Sequence, residues 1–243
     1  MNSAEHGQLY DALTLILPLV FAIVCHEVAH GTVARMLGDT TAADARRLTL
    51  NPLAHVDPIG TLVVPGLLAL AHAPVFGWAK PVPVNPYRLR GGRQGMMLVA
   101  FAGPLANFML AALGAVGLGL AVRFSGLPGP GGQMAGMGGF IADNCVNFIA
   151  INLYLALFNL LPVPPFDGSH IVEGILPTPL ADAYARLRRF GMLLMIALVV
   201  VLPSVLGVSL VARFVDPPFG WLYAHYMLLA EHVAGLAASG ASG

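Results

Sequence analysis

Apolar residues dominate this chain in runs that are longer than an ordinary core helix requires. Four strongly apolar stretches stand out, at 12–34, 96–122, 139–161 and 191–212. A helix rises about 1.5 Å per residue, so about 20 apolar residues cross the roughly 30 Å hydrocarbon core of a bilayer. We therefore predict an all-α polytopic membrane protein, a helical bundle of about four to six transmembrane segments.

A fifth apolar stretch, 59–76, is interrupted by Pro65, His72 and Pro74. Lys and Arg accumulate in cytoplasmic loops, so the charge distribution tests whether this stretch crosses the membrane. If it crosses, the 12 basic residues divide seven to five, which is almost no bias. If it dips in and returns, ten lie on one side and two on the other. We therefore predict a re-entrant, surface-lying or short β-hairpin element between the first two spans, with the N-terminus outside.

The last apolar stretch, 219–238, is weaker because it contains His225, Glu231 and His232. These three side chains lack the four-residue spacing of helical metal ligands, and an interfacial helix explains them. The sequence leaves open whether 219–238 crosses the bilayer.

Composition narrows the class of protein further. Hydrophobic residues make up 57% of the chain and charged residues only 10%, against about 25% charged in soluble proteins. The 243 residues contain no soluble stretch of domain size, which predicts one membrane-embedded domain over 1–243. A net charge of zero with scattered basic residues argues against a nucleic-acid partner. Cys25 and Cys145 both lie in apolar runs and suggest no disulfide framework.

The first apolar stretch carries a metal-ligand motif, His26-Glu27-Val28-Ala29-His30. Two histidines four residues apart project from one helix face and can bind one zinc ion. Glu27 is the only side chain in 12–34 that is charged at neutral pH, and it flanks the same position. Because charged groups at membrane depth are costly, they indicate a functional site. We predict Zn²⁺ bound by His26 and His30, with Glu27 placed to act on a zinc-bound water.

A catalytic zinc site usually has three protein ligands and one open position. The best third candidate is Asp167, because three prolines between 162 and 165 end the preceding helix near Leu161 and present an acid at the membrane edge. His170 is the second candidate, and helix capping is the alternative role of Asp167. His55 and His72 are single histidines that we leave out of the site.

Several segments together resemble the site-2 protease family of intramembrane zinc metalloproteases, in its short prokaryotic branch without an appended peptide-binding or sensing domain. Besides the His26 to His30 motif, the resemblance rests on Asn51-Pro-Leu-Ala-His-Val-Asp-Pro-Ile-Gly60, Gly77-Trp-Ala-Lys-Pro-Val-Pro-Val-Asn85, Phe101-Ala-Gly-Pro-Leu-Ala-Asn107 and Asn159-Leu-Leu-Pro-Val-Pro-Pro-Phe-Asp-Gly168. The histidine motif and the last segment are specific when they occur together.

The resemblance implies hydrolysis of a peptide bond within or near the transmembrane segment of another membrane protein. It implies one zinc per chain, held by His26, His30 and Asp167, with Glu27 catalytic. Asn159 matches a polar position near the metal, where we expect its amide to steady the oxyanion; an interhelical hydrogen bond is the alternative. The catalytic core would cover about 12–175 and peripheral helices about 186–238.

The expected partners are a transmembrane protein substrate and the lipid bilayer, with a separate adaptor or inhibitor membrane protein left open. The family branch implies a prokaryotic plasma membrane, and charge bias places the active site near the cytoplasmic face. Residues 77–85 are a candidate support for an extended substrate, or an ordinary loop. The sequence does not identify the substrate, the cleavage sequence, a regulator or the oligomeric state.

Two other functional classes fit part of the pattern. A metal transporter or channel would use His26, His30 and Asp167 as a transit site, but a conduit should have polar residues at several depths. A scaffold with a structural zinc is weaker, because structural sites close all four positions with protein ligands.

Overall fold

A computed structural model describes residues 3–70, 78–125, 136–207 and 209–235. Within these ranges the chain forms ten α-helices and no β-strand. In chain order they are α1 (Ser3–Met36), α2 (Thr41–Asp44), α3 (Val64–Leu70), α4 (Gly92–Ser125), α5 (Gly136–Asn159), α6 (Asp167–Ile175), α7 (Thr178–Ala185), α8 (Gly191–Ile196), α9 (Leu202–Leu206) and α10 (Leu210–Ala234). Short 3₁₀ helices cover Pro52–His55, Pro86–Arg88 and Arg186–Phe190, and π-helical turns cover Pro58–Val63 and Ala197–Val201.

Four helical segments in the described residues are long and apolar enough to cross a membrane, and they agree with the four predicted stretches. They are Leu13–Met36, Gly92–Phe124, Gly138–Asn159 and Thr178–Val205. The prediction of an all-helical membrane protein is thereby confirmed. The fourth segment begins at Thr178 rather than at 191, because α7 and the 3₁₀ helix Arg186–Phe190 directly precede α8 and lengthen the segment at its N-terminal end.

Residues 219–234 of the last predicted stretch belong to a longer helix that begins at Leu210 and continues through Pro217 and Pro218; residues 236–238 lie outside the described residues. This helix, α10, is not among the four apolar segments. His225 and His232 each bond through Nδ1 to a carbonyl of their own helix, those of Trp221 and Leu228.

The chain divides into two compact units by its internal contacts. The first unit comprises Met1–Ala22, Asn107–Leu157 and Val215–Gly243, and the second comprises Ile23–Ala106 and Phe158–Phe214. The organisation of 1–243 as a single functional domain stays a prediction.

Small and aliphatic side chains fill the core of the first unit. Gly119 of α4 faces α10, where an added Cβ would lie 2.5 Å from the carbonyl oxygen of Ala230. Such close backbone approach through small residues is typical of membrane helix packing. The buried residues are Ala111, Ala115, Leu118, Val122, Ala142, Ile149, Leu153 and Ala230.

Two fully buried asparagines connect helices inside the first unit. The Asn107 amide donates to Asn152 Oδ1 at 2.7 Å and to the Ala22 carbonyl at 3.3 Å. Asn152 in turn donates to the carbonyl of Phe148 at 2.8 Å. Because lipid offers no hydrogen-bond partners, these bonds join α1, α4 and α5 by satisfying polar groups within the protein.

Asn107→Ala should lower the stability of the folded protein by about 1–2 kcal/mol, because it leaves Asn152 Oδ1 without its donor. Unfolding of purified protein in mixed micelles with increasing SDS measures the change. Leu113→Ala on the same helix is the control, since Leu113 is 65% exposed. Equal effects of the two substitutions would contradict this role for Asn107.

In the second unit, Asp57 organises the segment that follows α1. Its Oδ1 accepts from the backbone N–H groups of Ile59 and Gly60 at 2.9 and 3.2 Å, which starts the helical turns of 58–70. The predicted β-hairpin is absent from the described part of 59–76, which is helical to Leu70; residues 71–77 with His72 lie outside the described residues. The re-entrant path stays a prediction.

Residues 78–85, which we call the strap, form neither helix nor strand. At the N-terminal end of the strap, the backbone N–H of Trp78 donates to the Gly60 carbonyl at 3.1 Å. The indole Nε1–H of Trp78 donates to Asp57 Oδ2 at 3.3 Å. A Cβ on Gly60 would lie 2.3 Å from the indole nitrogen, so glycine is required for this contact.

The strap is held further along by two more contacts. The Lys80 N–H donates to the carbonyl of His55 at 2.8 Å. The Asn85 N–H donates to Oδ2 of the fully buried Asp39 at 2.6 Å. Burial raises the pKa of Asp39, but the hydrogen bonds from Thr41 and Asn85 outweigh it, so the pKa is lowered and the carboxylate stays ionised.

Candidate metal centre and catalytic cavity

Helix α1 brings the two motif histidines together in the second unit, as their spacing predicts. His26 and His30 are 5% and 9% exposed, and their Nε2 atoms lie 3.0 Å apart. The i, i+4 positions put both rings on one helix face, one turn apart. Both histidines therefore direct a ring nitrogen to the same point.

Asp167 meets these rings from the start of α6. Its Oδ2 lies 3.1 Å from His26 Nε2 and 3.3 Å from His30 Nε2. Helix α5 ends at Asn159, close to the predicted Leu161, and the proline turn returns the chain to α6. A Cβ on Gly168 would lie 2.3 Å from the Leu160 carbonyl oxygen, so glycine allows this sharp return.

The carboxylate of Asp167 faces the histidines and does not cap its helix. The cap position belongs to Phe166, which makes no side-chain cap hydrogen bond. Burial raises the pKa of Asp167, but the hydrogen bonds with His26 and His30 outweigh it, and the pKa falls well below its ordinary value. Asp167 therefore stays anionic at neutral pH.

The donor atoms of His26, His30 and Asp167 fit a tetrahedral zinc ion. They form a triangle with edges of 3.0, 3.1 and 3.3 Å. A tetrahedral zinc with ligand distances of about 2.0–2.1 Å needs donor atoms about 3.3 Å apart. Among the described residues, this trio is the group of His, Cys, Asp or Glu side chains that could hold a metal ion.

The second nitrogen of His30 supports the same assignment. His30 Nδ1 lies 2.7 Å from the Val99 carbonyl oxygen. A carbonyl can only accept, so Nδ1 carries a proton; when the ring is neutral, the lone pair is on Nε2, the atom that would bind a metal ion. Metal-binding histidines are usually oriented by such a bond to a backbone carbonyl.

Glu27 lies beside the histidines and is fixed by the strap. Its Oε2 accepts a hydrogen bond from the Val82 backbone N–H at 2.8 Å. The sequence places Glu27 near the metal position but gives no sign of this contact, which joins residues 55 positions apart. The carboxylate is therefore held by one oxygen.

Asn159 and His170 line the same cavity as His26, His30 and Asp167, and this cavity has a volume of about 340 Å³. Asn159 is the last residue of α5, and His170 lies on α6. His170 is not one of the three donor side chains that converge. Burial and the nearby Arg188 lower the pKa of His170, which favours the neutral ring. The complete lining is His26, Glu27, His30, Pro81, Val82, Val84, Met96, Val99, Ala100, Asn159, Pro165, Asp167 and His170.

The other polar residues singled out in the sequence lie outside this trio. His55 is buried, and its Nε2 lies 2.9 Å from the Thr49 carbonyl, which fits the local role predicted for it. Cys25 and Cys145 are both free thiols.

Gly103 is a site residue that the sequence analysis did not single out beyond its membership in Phe101-Ala-Gly-Pro-Leu-Ala-Asn107. A Cβ at Gly103 would lie 2.5 Å from His30 Nε2 and 2.6 Å from His26 Cε1. Helix α4 therefore packs directly on both imidazole rings at this position. The only signal in the sequence was that this glycine lies in a segment that resembles the site-2 protease family.

Comparisons with known proteins agree with this geometry. The Peptidase family M50 profile matches residues 127–202. The chain is 37% identical over 194 residues to "Putative zinc metalloprotease YwhC" of Bacillus subtilis (strain 168), covering 76% of this chain and 80% of that protein. It is 29% identical over 183 residues to "Putative zinc metalloprotease Rip2" of Mycolicibacterium smegmatis (strain ATCC 700084 / mc(2)155), covering 74% of this chain and 64% of that protein. No solved structure matches the chain significantly.

An all-helical membrane chain with this relationship to zinc metalloproteases falls in the class of membrane metalloproteases. The chain belongs to peptidase family M50, the site-2 protease family. The resemblance read from the sequence motifs is thereby confirmed.

Gly103→Ala should reduce zinc affinity about tenfold or more, because the new methyl group displaces the His26 and His30 rings. Alanine favours helix more than glycine, so the loss would not come from a weakened α4. Metal analysis of purified protein after dialysis against a zinc buffer measures it. Gly117→Ala on the same helix is the control, since a Cβ there meets nothing within 4 Å. Unchanged zinc binding in Gly103→Ala would refute this packing role.

Proposed function

We propose that this chain is an intramembrane zinc metalloprotease that hydrolyses a peptide bond within or near the transmembrane segment of another membrane protein. The observation that carries the proposal is the convergence of His26, His30 and Asp167 beside Glu27, on a helix of membrane-spanning composition. Membership of family M50 supports the same conclusion, and nothing in the comparisons favours the metal transporter.

In this proposal His26, His30 and Asp167 hold one zinc ion by the atoms that form the 3.0–3.3 Å triangle. Zinc supplies Lewis-acid chemistry, which acidifies water and polarises a carbonyl group. Val99 keeps the proton of His30 on Nδ1, so that Nε2 is available as a ligand. Three protein ligands would leave one position of a zinc ion open, as a catalytic site requires.

Glu27 serves as the general acid/base. As the water oxygen bonds to the scissile carbonyl carbon, the Glu27 carboxylate takes the proton that water loses. When the carbon–nitrogen bond breaks, Glu27 gives the proton to the leaving amine. Val82 orients the carboxylate through Oε2 during both transfers.

Asn159 is proposed to donate a hydrogen bond from its side-chain amide to the oxyanion that develops on the substrate carbonyl. Its place in the same cavity as Glu27 and the metal residues supports this role. The interhelical hydrogen bond remains the alternative role, and a substitution separates the two.

A helical substrate hides its carbonyl groups in its own hydrogen bonds, so the scissile segment must be captured unwound. Pro81, Val82 and Val84 of the strap line the cavity, which supports a role for the strap beside an extended substrate. The proposal keeps the predicted re-entrant path of 59–76, the N-terminus outside and the site near the cytoplasmic face of a prokaryotic plasma membrane. The path and the orientation rest on the ten-to-two distribution of basic residues, and the prokaryotic membrane rests on the family branch.

Glu27→Gln should lower cleavage at least a hundredfold, because the amide cannot take a proton. Bound zinc should be unchanged, because the amide oxygen can still accept the hydrogen bond from the Val82 N–H. The measurement is cleavage of a panel of single-span membrane segments by purified wild type and variant at equal bound zinc. Glu231→Gln, a glutamate of α10, is the control. Equal cleavage by wild type and Glu27→Gln would overturn the mechanism, whereas zinc flux in proteoliposomes without any cleavage would favour the transporter.

Asn159→Ala should lower kcat about tenfold to a hundredfold with zinc content unchanged, because an oxyanion donor acts mainly in the transition state. Asn144→Ala is the matched control, since that amide donates to the Phe140 carbonyl of its own helix. Unaltered kcat combined with a lower unfolding midpoint would assign Asn159 to helix packing instead.

A further inference from the structure

Arg47 is a buried cation attached to the strap. It is only 9% exposed, and its Nη2 donates to the Lys80 carbonyl at 2.7 Å. The same nitrogen lies 3.5 Å from the Pro81 carbonyl oxygen, which is a weaker contact. The guanidinium thus spans two successive carbonyl groups of the strap.

This arginine has no conventional partner among the described residues. No Asp or Glu carboxylate there pairs with its guanidinium. Buried charges are ordinarily paired, because leaving water costs them several kcal/mol. Here the charge is directed instead at the backbone carbonyl groups next to Val82.

The Pro81–Val82 peptide connects this cation to the catalytic carboxylate. Its carbonyl oxygen faces Arg47, and its N–H donates to Glu27 Oε2 at 2.8 Å. The peptide dipole therefore lies with its negative end towards the cation and its positive end towards the anion. Hydrogen bonds aligned in this way polarise and strengthen one another.

Two local features limit how this peptide can move. Pro81 and Pro83 flank Val82, and each fixes its own φ angle near −65° and restricts the residue before it. On the other side, Gly31 of α1 leaves space for the Val82 side chain. A Cβ on Gly31 would lie 2.8 Å from Val82 Cγ1. Val82 is thus seated directly against the helix that carries Glu27.

We propose that Arg47 is a positioning residue: through the Lys80 and Pro81 carbonyl groups it fixes the Val82 N–H that orients the Glu27 carboxylate. The inference rests on the proposed role of Glu27 as the acid/base. Arg47 itself does not line the cavity that contains Glu27, His26, His30 and Asp167. Its loss should affect the chemical step more than substrate binding, because a misplaced base slows proton transfer.

The test combines hydrogen exchange with steady-state kinetics on the purified full chain at equal bound zinc. Prolines have no amide hydrogen, so a proteolytic peptide covering 81–84 reports on the amides of Val82 and Val84 alone. Arg47→Met should speed exchange of the Val82 amide about tenfold or more. It should also lower kcat about tenfold, with KM changed less than about threefold. Arg47→Lys, which keeps the charge and can donate to one carbonyl, should give intermediate values.

Arg46→Met is the control, because it removes a charge from the neighbouring, exposed arginine. It should match wild type in exchange and in kcat. Unchanged Val82 exchange and kcat in Arg47→Met would overturn the proposal, and so would faster exchange throughout α4 and α5 with a matching loss of unfolding midpoint. If wild type cleaved no substrate, the protease function would fail on that result, while the exchange of Val82 would still decide the role of Arg47 in holding the strap.

Discussion

Polar groups placed at membrane depth must be satisfied by the protein, because the lipid offers them no hydrogen bonds. The first span carries His26, Glu27 and His30 within an apolar helix, so each needs a protein or metal partner. Asp167 lies against both imidazole rings. The Val99 carbonyl contacts His30 Nδ1, and the Val82 N–H donates to Glu27. The segments that carry Val82, Val99 and Asp167 therefore each supply a partner to a polar side chain of the first span.

Glycine makes these partnerships sterically possible. Gly103 admits the histidine rings against α4, Gly168 brings the chain back sharply after α5, and Gly31 seats Val82 against α1. Each would place a Cβ within 2.8 Å of a neighbouring atom. In a bundle where hydrophobic burial does not separate one helix pair from another, close approach of this kind determines which residues meet.

The sequence predicts the features that depend on local periodicity. The four spans follow from apolar length, and the meeting of His26 with His30 follows from a spacing of one helical turn. The approach of Asp167 was predicted too, because an open zinc site needs a third ligand and the prolines after Leu161 present an acid at the helix end. The early start of the fourth span was missed because Asp182 and the arginines of the 3₁₀ helix Arg186–Phe190 interrupt the apolar pattern before 191.

Contacts made by irregular backbone were out of reach of the same reasoning. The strap has no repeating pattern of side chains that could reveal its partners, and Val82 reaches Glu27 through a main-chain N–H that any residue except proline possesses. Its flanking prolines indicated only an extended backbone, and its partners Asp39, Asp57 and Arg47 come from three separate turns. Such pairings depend on how loops cross in space, which neither spacing nor composition encodes.

The strap also reconciles two opposing requirements on Glu27 in its proposed role as the acid/base. A general base must be held in one orientation, yet it must keep a free oxygen for the proton it transfers. A single N–H donor on Oε2 meets both requirements, whereas a pairing with both oxygens would occupy the group that reacts. Because a single hydrogen bond is easily lost, its geometry depends on the rigidity of the donor. The prolines around Val82 and the guanidinium of Arg47 on the adjoining carbonyl groups supply that rigidity without touching the reacting atoms.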